Sequence, residues 1–346
     1  MKHQKTIIIT GTHHTPAIEL INQLKKDSHT DWKIIYIAHQ YKTESHISHT
    51  LIPKYKLDFY NLECGKFDRR NLSRSILGVP ITIQAIFRAY QVLRKNKPNI
   101  IVSFGGYVSV PVIIAGYLLH IPSITHEQTL TMSLSTKINS HFATRVAVSF
   151  PHKNAVLTGN LMRQEIFFRN SDHFQHSTLP FIYITGGNQG SLFLNKLTYR
   201  LVPRIANYYS VIHQTGQNID PQLQQQLLNK YPNYHPLEYI DSEDIGWVLN
   251  NSSYIISRSG ANICQEIDLL DKRSILIPLP FTQQDEQQKN AQWLKSMHPQ
   301  TTTIINQPEA TVTHIISHLQ HTDYQSQPKS IPLVHPLVKL INEVAR

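Results

Sequence analysis

The sequence predicts an α/β protein made of two doubly wound parallel-sheet domains facing a cleft. Three observations carry that prediction. Short apolar runs alternate with amphipathic stretches along most of the 346 residues, the pattern of strands joined by crossover helices. The rhythm pauses near residues 151–165 and then restarts, which implies two sheets. In both halves, strand-like runs end in small-residue turns before a helix, and such strand ends are where α/β proteins bind ligands.

The elements follow in order. TIIIT (6–10) is the first strand and residues 16–27 the first helix. WKIIYIA (32–38), NIIVSF (99–104), PSITHE (122–127) and RVAVSF (145–150) complete the first half. FIYITGG (181–187), YSVIHQTG (209–216), SYIISRSG (253–260) and RSILIPLP (273–280) form the second. HPLVKLINEVAR (335–346) reads as a short amphipathic helix after Pro336. The expected domains are residues 1–155 and 156–330, with a C-terminal helix in 331–346 returning to the first domain.

Lys and Arg number 33 against 23 Asp and Glu. A surplus of ten suits nucleic acid, an anionic membrane face or a phosphorylated substrate; a basic protein with none of these is the plainer alternative. The two cysteines, Cys64 and Cys264, make no disulfide framework and fit a reducing cytoplasm. The first apolar run is three isoleucines, too short for a signal peptide. Residues 108–124 are broken by Pro111, Gly116, His120 and Pro122, short of the roughly 18 apolar residues of a membrane span. The expectation is a cytoplasmic protein whose membrane contact is peripheral.

Three turns are candidates for ligand contact: Thr10-Gly11-Thr12, Phe104-Gly105-Gly106-Tyr107 and Gly186-Gly187-Asn188-Gln189-Gly190. Glycine allows close backbone approach, and the helix that follows aims unpaired amides and its positive dipole end at the turn. Phosphate suits such a place. None of the turns matches Gly-x-Gly-x-x-Gly or Gly-x4-Gly-Lys-Ser/Thr, which disfavours nicotinamide and ATP chemistry. His13 and His14 follow the first turn. An imidazole, with an ordinary pKa of about 6.5, can take a proton at neutral pH; a turn histidine that only bonds backbone is the plainer reading.

SRSGANICQE (257–266) turns at Ser259-Gly260 into a helix from Ala261, with Glu266 one and a half turns in. A carboxylate there can accept from two sugar hydroxyls, or simply sit on a solvated face. PLPFTQQDEQQKNA (278–291) is dense in amides, which both donate and accept and so suit sugars. His314, His318 and His321 lie at near-helical spacing, as do His46 and His49. Neither cluster shows a further ligand in fixed geometry, so no metal site is expected.

Taken in order, these motifs resemble the MurG family of UDP-N-acetylglucosamine transferases, two-domain glycosyltransferases of the GT-B fold. The family's first turn reads Thr-Gly-Gly-His-x-x-Pro-Ala, and residues 10–17 here read TGTHHTPA. SFGGYVSVPVIIAG matches the second turn, and HEQT (126–129) is similar to His-Glu-Gln-Asn with Thr129 for Asn. TGNLMR (158–163) resembles Gly-Asn-Pro-x-Arg with Leu161 for Pro. GGNQGS (186–191) resembles Gly-Gly-Ser-Gln-Gly-Ala with Asn188 for Ser. The likeness runs over roughly residues 5–295.

The resemblance implies a UDP-N-acetylglucosamine donor held mainly by the second half. Ile240 would offer backbone groups to uracil, and Glu266 would take the ribose hydroxyls. Ala261, Asn262, Ile263, Cys264 and Gln265 would set helix-start amides against the diphosphate, with Arg163, Asn188 and Gln189 beside them. Gln287 and Asn290 would face the sugar hydroxyls, with Gln288 a rival for Gln287. Thr10, Gly11, Thr12 and Thr129 are further donor-side candidates. Gly105, Gly106, Tyr107, His126 and Glu127 would lie on the acceptor side.

The implied acceptor is lipid I, undecaprenyl diphosphate bearing N-acetylmuramoyl-pentapeptide. Inverting transfer makes a β-1,4 link and gives lipid II. His13 aligns with the family's base, and His14 is a bystander. No cofactor, metal or nucleic acid is implied, and the chain lacks Asp-x-Asp. A lipid acceptor requires a membrane face, here Lys66, Arg69, Arg70, Leu72, Arg74, Ile76 and Leu77 on the inner side of the plasma membrane. Each cation near an anionic surface contributes about 1 kcal/mol. From residue 81 onward the helix is read as core. Thr12 departs from a family glycine, and a β-branched residue resists positive φ. The alternatives are another polyprenyl-linked acceptor, or a non-catalytic nucleotide-sugar-binding scaffold.

Overall fold

A computed structural model describes residues 3–12, 14–27, 30–39, 55, 57–65, 72–174, 177–187, 189–217, 219–282, 285–319, 324–330 and 334–345, with the side chains of residues 3, 14–15 and 72–77 left out. The chain divides into two compact units, Met1–Arg163 with Ile331–Arg346, and Gln164–Ser330. The division falls after Arg163, beyond the expected 155/156, because Val156–Leu157 pairs with the strand at Arg145–Val148 and stays with the first unit.

The first unit holds a seven-stranded sheet in the order β3-β2-β1-β4-β5-β6-β7. Its strands are β1 (His3–Gly11), β2 (Thr30–Ala38), β3 (Asp58–Asn61), β4 (Ile100–Phe104), β5 (Ser123–Glu127), β6 (Arg145–Val148) and β7 (Val156–Leu157). All pairings are parallel. Helices cover both faces of such a sheet, so its inner strands read as continuous apolar runs. Ile7, Ile8 and Ile9 are accordingly all buried. Alternate side chains point to opposite faces. Ile7 and Ile9 pack with α1 (His14–Lys25), while Ile8 packs with α2 (Leu72–Asn96) and α3 (Ser109–Leu118).

Two short features close the first unit. The helix α4 (Leu134–Asn139) is capped by Ser133, whose side chain accepts from the Thr136 amide. The C-terminal helix α11 (Pro336–Val344) sets Leu337, Val338, Leu340 and Ile341 into the core beside α1.

The second unit holds a six-stranded parallel sheet in the order β10-β9-β8-β11-β12-β13. Its strands are β8 (Phe181–Thr185), β9 (Ser210–Gln214), β10 (Tyr234–Leu237), β11 (Ser252–Ser257), β12 (Ser274–Leu276) and β13 (Thr302–Ile304). The helices are α5 (Leu192–Ile205), α6 (Pro221–Lys230), α7 (Ile245–Asn251), α8 (Ala261–Leu270), α9 (Glu286–Met297) and α10 (Val312–His318). Pro236 sits in β10, an edge strand, where a missing ladder donor is tolerated.

The helix α2 differs from its expected role. Ala85, Ala89 and Leu93 are buried at successive i+4 steps, but Val79, Ile81, Ile83 and Phe87 are 50%, 45%, 62% and 62% exposed. The apolar positions from 81 onward therefore lie on two faces, and only one faces the core. Lys66, Arg69 and Arg70 lie outside the described residues, as do the side chains of Leu72, Arg74, Ile76 and Leu77. Among the described residues no helix is long and apolar enough to cross a membrane.

Candidate active site

Each sheet has one point where the strand order reverses, and ligands of doubly wound folds bind outside the strand ends there. In the first unit that point lies between β1 and β4, with Gly11 paired to Phe104. The turns Gly11–Thr12 and Gly105–Tyr107 therefore emerge side by side. In the second it lies between β8 and β11, with Thr185 paired to Ser257. The turns 186–191 and 258–260 emerge together there.

In the first unit the glycine turn is packed against its neighbour. Gly11 has φ +136°, and a Cβ on it would lie 2.8 Å from the Phe104 carbonyl carbon. The Thr12 amide donates to the Gly105 carbonyl at 3.3 Å. Thr12 is absent from the positive-φ residues, so its β-branch costs nothing at this position. The amides of the second turn are already engaged: Gly105 N–H donates to Ser103 Oγ at 3.1 Å and Gly106 N–H to Ser135 Oγ at 3.0 Å. These two amides make no phosphate cradle, contrary to the expectation for that turn. The Tyr107 carbonyl accepts from the Cys64 thiol at 3.6 Å. Thr10 is buried, with no hydrogen-bond partner for its hydroxyl among the described residues. His13 lies outside the described residues.

His126 and Glu127 both serve the loops around them. His126 Nε2 donates to the Gly159 carbonyl at 2.9 Å, and its ring lies edge-on to Phe104. Burial pushes the Glu127 carboxyl up, but its hydrogen bonds outweigh that and hold it below the usual carboxylate range. Its Oε1 accepts from the Thr129 amide at 3.2 Å and from the Thr129 hydroxyl at 2.8 Å. Its Oε2 accepts from the Ser133 amide at 2.9 Å. The Thr129 hydroxyl also lies 2.8 Å from the Thr131 carbonyl, so its one proton has two acceptors to serve. Arg163 is half-buried at the end of the first unit.

In the second unit the glycine turn is sterically constrained. Gly190 has φ +75°, and a Cβ on it would overlap the Thr215 carbonyl oxygen. Gln189 is exposed on this turn, and Asn188 lies outside the described residues. The start of α8 is different. Its N-cap is Gly260, which supplies no side-chain cap, and a Cβ there would meet nothing within 4 Å. The first amides of a helix have no intrahelical acceptor, and those at the start of α8, from Ala261 to Ile263, have the positive end of the helix dipole behind them. The Cys264 amide already donates to the Gly260 carbonyl at 3.2 Å, and Gln265 lies a residue deeper. The Cys264 amide is thereby engaged, whereas Gln265 Nε2 is buried with no hydrogen-bond partner among the described residues. Burial pushes the Cys264 thiol well up.

Glu266 is 4% exposed and Ile240 is 3% exposed. Asn290 is buried, and its Nδ2 donates to the Ser259 carbonyl at 3.1 Å. That bond braces α8, and Asn290 Oδ1 is left without a hydrogen-bond partner among the described residues. Gln287 accepts from the Leu279 amide at 2.9 Å through Oε1, and its carbonyl accepts from Ser259 Oγ at 2.8 Å. Gln288 instead lines a cavity of about 380 Å³, shared with Phe281, Asp285, Lys289, Gln292 and Gln307.

Sequence reasoning missed Arg258, which sits two residues before Gly260 and is 7% exposed. Burial lowers its guanidinium to about 10, still a cation at neutral pH. Its place inside the quoted SRSGA run was the available signal. Among the described residues no group of three or more His, Cys, Asp or Glu could hold a metal ion.

Two parallel sheets with interleaved helices, each opening a glycine turn at its reversal point, define a GT-B α/β protein. Residues 6–148 match the glycosyltransferase family 28 N-terminal domain, and residues 181–330 match its C-terminal domain. The chain belongs to glycosyltransferase family 28. A relative from Clostridium kluyveri, named UDP-N-acetylglucosamine–N-acetylmuramyl-(pentapeptide) pyrophosphoryl-undecaprenol N-acetylglucosamine transferase, is 35% identical over 293 residues, 80% of this chain and 79% of its own. A like-named protein of Bacillus thuringiensis is 30% identical over 342 residues, covering 93% of both chains. Acinetobacter baumannii MurG shares the fold at a TM-score of 0.68 and 23% identity, over 91% of this chain and 90% of that one. A UDP-N-acetylglucosamine 2-epimerase shares it at 0.61 and 16%, over 93% and 89%.

Proposed function

We propose that this chain transfers N-acetylglucosamine from UDP-N-acetylglucosamine to lipid I, with inversion, to give lipid II and UDP. The observation that carries the reading is the uncapped start of α8, open at Gly260 beside the β8–β11 reversal point, in a family-28 chain whose relatives bear that transferase name.

The donor diphosphate lies against the Ala261, Asn262 and Ile263 amides, with Arg163, Asn188 and Gln189 as further contacts. Glu266 accepts from the ribose hydroxyls, and the Ile240 backbone reads uracil. Gln288 meets the sugar hydroxyls, since Gln287 Oε1 is occupied by Leu279 N–H. Imidazole nitrogen of His13 accepts the proton of the attacking acceptor hydroxyl. The oxygen forms its bond to the anomeric carbon as the bond from that carbon to the β-phosphate oxygen breaks. The electron pair leaves on UDP, whose growing charge is met by backbone dipoles and Arg163. The charge needed is borne by the chain, so the proposed step uses no metal, and transfer persists in EDTA.

The acceptor side is organised by Gly105, Gly106, Tyr107, His126 and Glu127 as scaffolding for the turns. The lipid is met at the inner face of the plasma membrane by α2. Ile81, Ile83 and Phe87 stand exposed there, with Arg88, Arg94 and Lys95 exposed on the same helix. Apolar side chains with flanking cations suit an anionic interface.

The test is transfer of radiolabel from UDP-N-acetylglucosamine to lipid I in detergent, beside a His13→Ala variant. The expected result is transfer by the parent and a loss of about 10²-fold or more in the variant, the usual share of a general base. Donor binding with no transfer to any polyprenyl-linked acceptor would overturn the reading in favour of a scaffold.

A further inference from the structure

Arg258 is a buried cation whose hydrogen-bond acceptors are all neutral. Its Nε and Nη2 donate to Ser191 Oγ at 3.2 and 3.1 Å. Its Nη1 donates to the Ile277 carbonyl at 3.0 Å and the Pro278 carbonyl at 3.4 Å, and Nη2 also donates to Gln307 Oε1 at 2.7 Å. The Phe193 ring lies 5.4 Å from its Cζ. No carboxylate is among these partners. A buried charge without a counter-ion is costly unless an anion completes it.

The consequence falls on Ser191. This residue is the N-cap of α5, and its Oγ also accepts from the Leu194 amide at 3.4 Å. A hydroxyl offers two lone pairs and one proton. With Arg258 and Leu194 taking the lone pairs, the proton is what remains, and it can only be donated. Ser191 is half-buried and follows the glycine turn at the β8–β11 reversal point. The guanidinium on the oxygen also polarises the O–H and strengthens it as a donor. In the motif that GGNQGS resembles, the hydroxyl stands at position 188 and alanine at 191; here Asn188 and Ser191 reverse that.

We propose that Ser191 donates its hydroxyl proton to a diphosphate oxygen of the nucleotide-sugar donor, with Arg258 as the positioning residue that turns the hydroxyl outward. This rests on the donor reading above. The hydroxyl missing at 188 is then resupplied from 191 through a different backbone position.

Titration calorimetry of UDP and of uridine on the full chain tests it. Ser191→Ala should weaken UDP about tenfold or more, the worth of a hydrogen bond to a charged group, and leave uridine unchanged. Ser191→Thr, which keeps the hydroxyl, should restore UDP binding. Arg258→Met should lower UDP affinity alike, and Ser191→Ala should then add little to it. Equal loss of UDP and uridine in Ser191→Ala, or no loss of either, overturns the proposal. If Arg258→Met does not fold, the Ser191 pair alone decides the matter. A parent chain that binds no UDP sinks the donor reading instead.

Discussion

Thr12 occupies the space that a side chain on Gly106 would need. A Cβ built on Gly106 would overlap Thr12 Oγ1 and lie 2.5 Å from its Cγ2. Gly106 also has φ +76°, so two constraints converge on one residue. Threonine at 12, where the family pattern has glycine, therefore bars a side chain at 106 rather than straining its own backbone.

Gly106→Ala should destabilise the first unit by about 1–2 kcal/mol from backbone strain alone, with the overlap added to that. Thr12→Gly in the same chain should recover only the overlap. Urea unfolding of the four chains of the cycle measures the coupling, and additivity would contradict the contact.

Gln287 and Gln288 should separate by kinetics. Gln288→Ala should raise the donor KM by up to about tenfold, the worth of one hydrogen bond, while leaving thermal stability nearly unchanged. Gln287→Ala frees the Leu279 amide to water and removes the brace on the 278–282 turn, at about 0.5–1.5 kcal/mol, the net worth of one hydrogen bond. Its melting temperature should drop. The reverse assignment would place the sugar against Gln287.

The exposed face of α2 predicts a lipid dependence. Ile83→Glu with Phe87→Glu should lower binding to vesicles rich in anionic lipid and lower turnover of membrane-borne acceptor. Turnover of a detergent-dissolved acceptor should change little. Unaltered vesicle sedimentation would remove α2 from the membrane face.

Acid should loosen both units. Burial lowers His335 to about 4, with His126 adding to the effect, and lowers His213 to about 3. A histidine is near 6.5 when unfolded, so the unfolded chain binds the extra protons. Each group's contribution is whole above pH 6.5 and is lost as pH falls through the folded value, at up to about 1.4 kcal/mol per pH unit per group. Denaturant midpoints between pH 7 and pH 4 should fall, less steeply in His335→Asn. A flat profile would place these imidazoles in water.

The nine strands β1, β2, β4, β5, β6, β8, β9, β11 and β12 are readable as apolar runs. The four that are not, β3, β7, β10 and β13, are the four sheet edges. Edge strands are buried on fewer sides and are kept short. DFYN, VL, YHPL and TTI carry too few apolar residues to stand out. Glycine turns and the SRSGA helix start were visible because their chemistry is local. Whether a turn's amides are available is not local. Ser135 arrives at Gly106 from 29 residues away, and Gln287 reaches back to the turn at Leu279.

The sequence by itself therefore determined two parallel-sheet units, their inner strands and the turns that border the site, since burial on both faces and glycine conformations leave a mark residue by residue. Only the tertiary structure decided which of those turns has its amides engaged, why Asn290 and Glu127 brace their neighbours, and that Arg258 grips Ser191. Those outcomes depend on hydrogen-bond partners that the chain brings together across tens of residues, and no spacing along the chain encodes which donor finds its acceptor first.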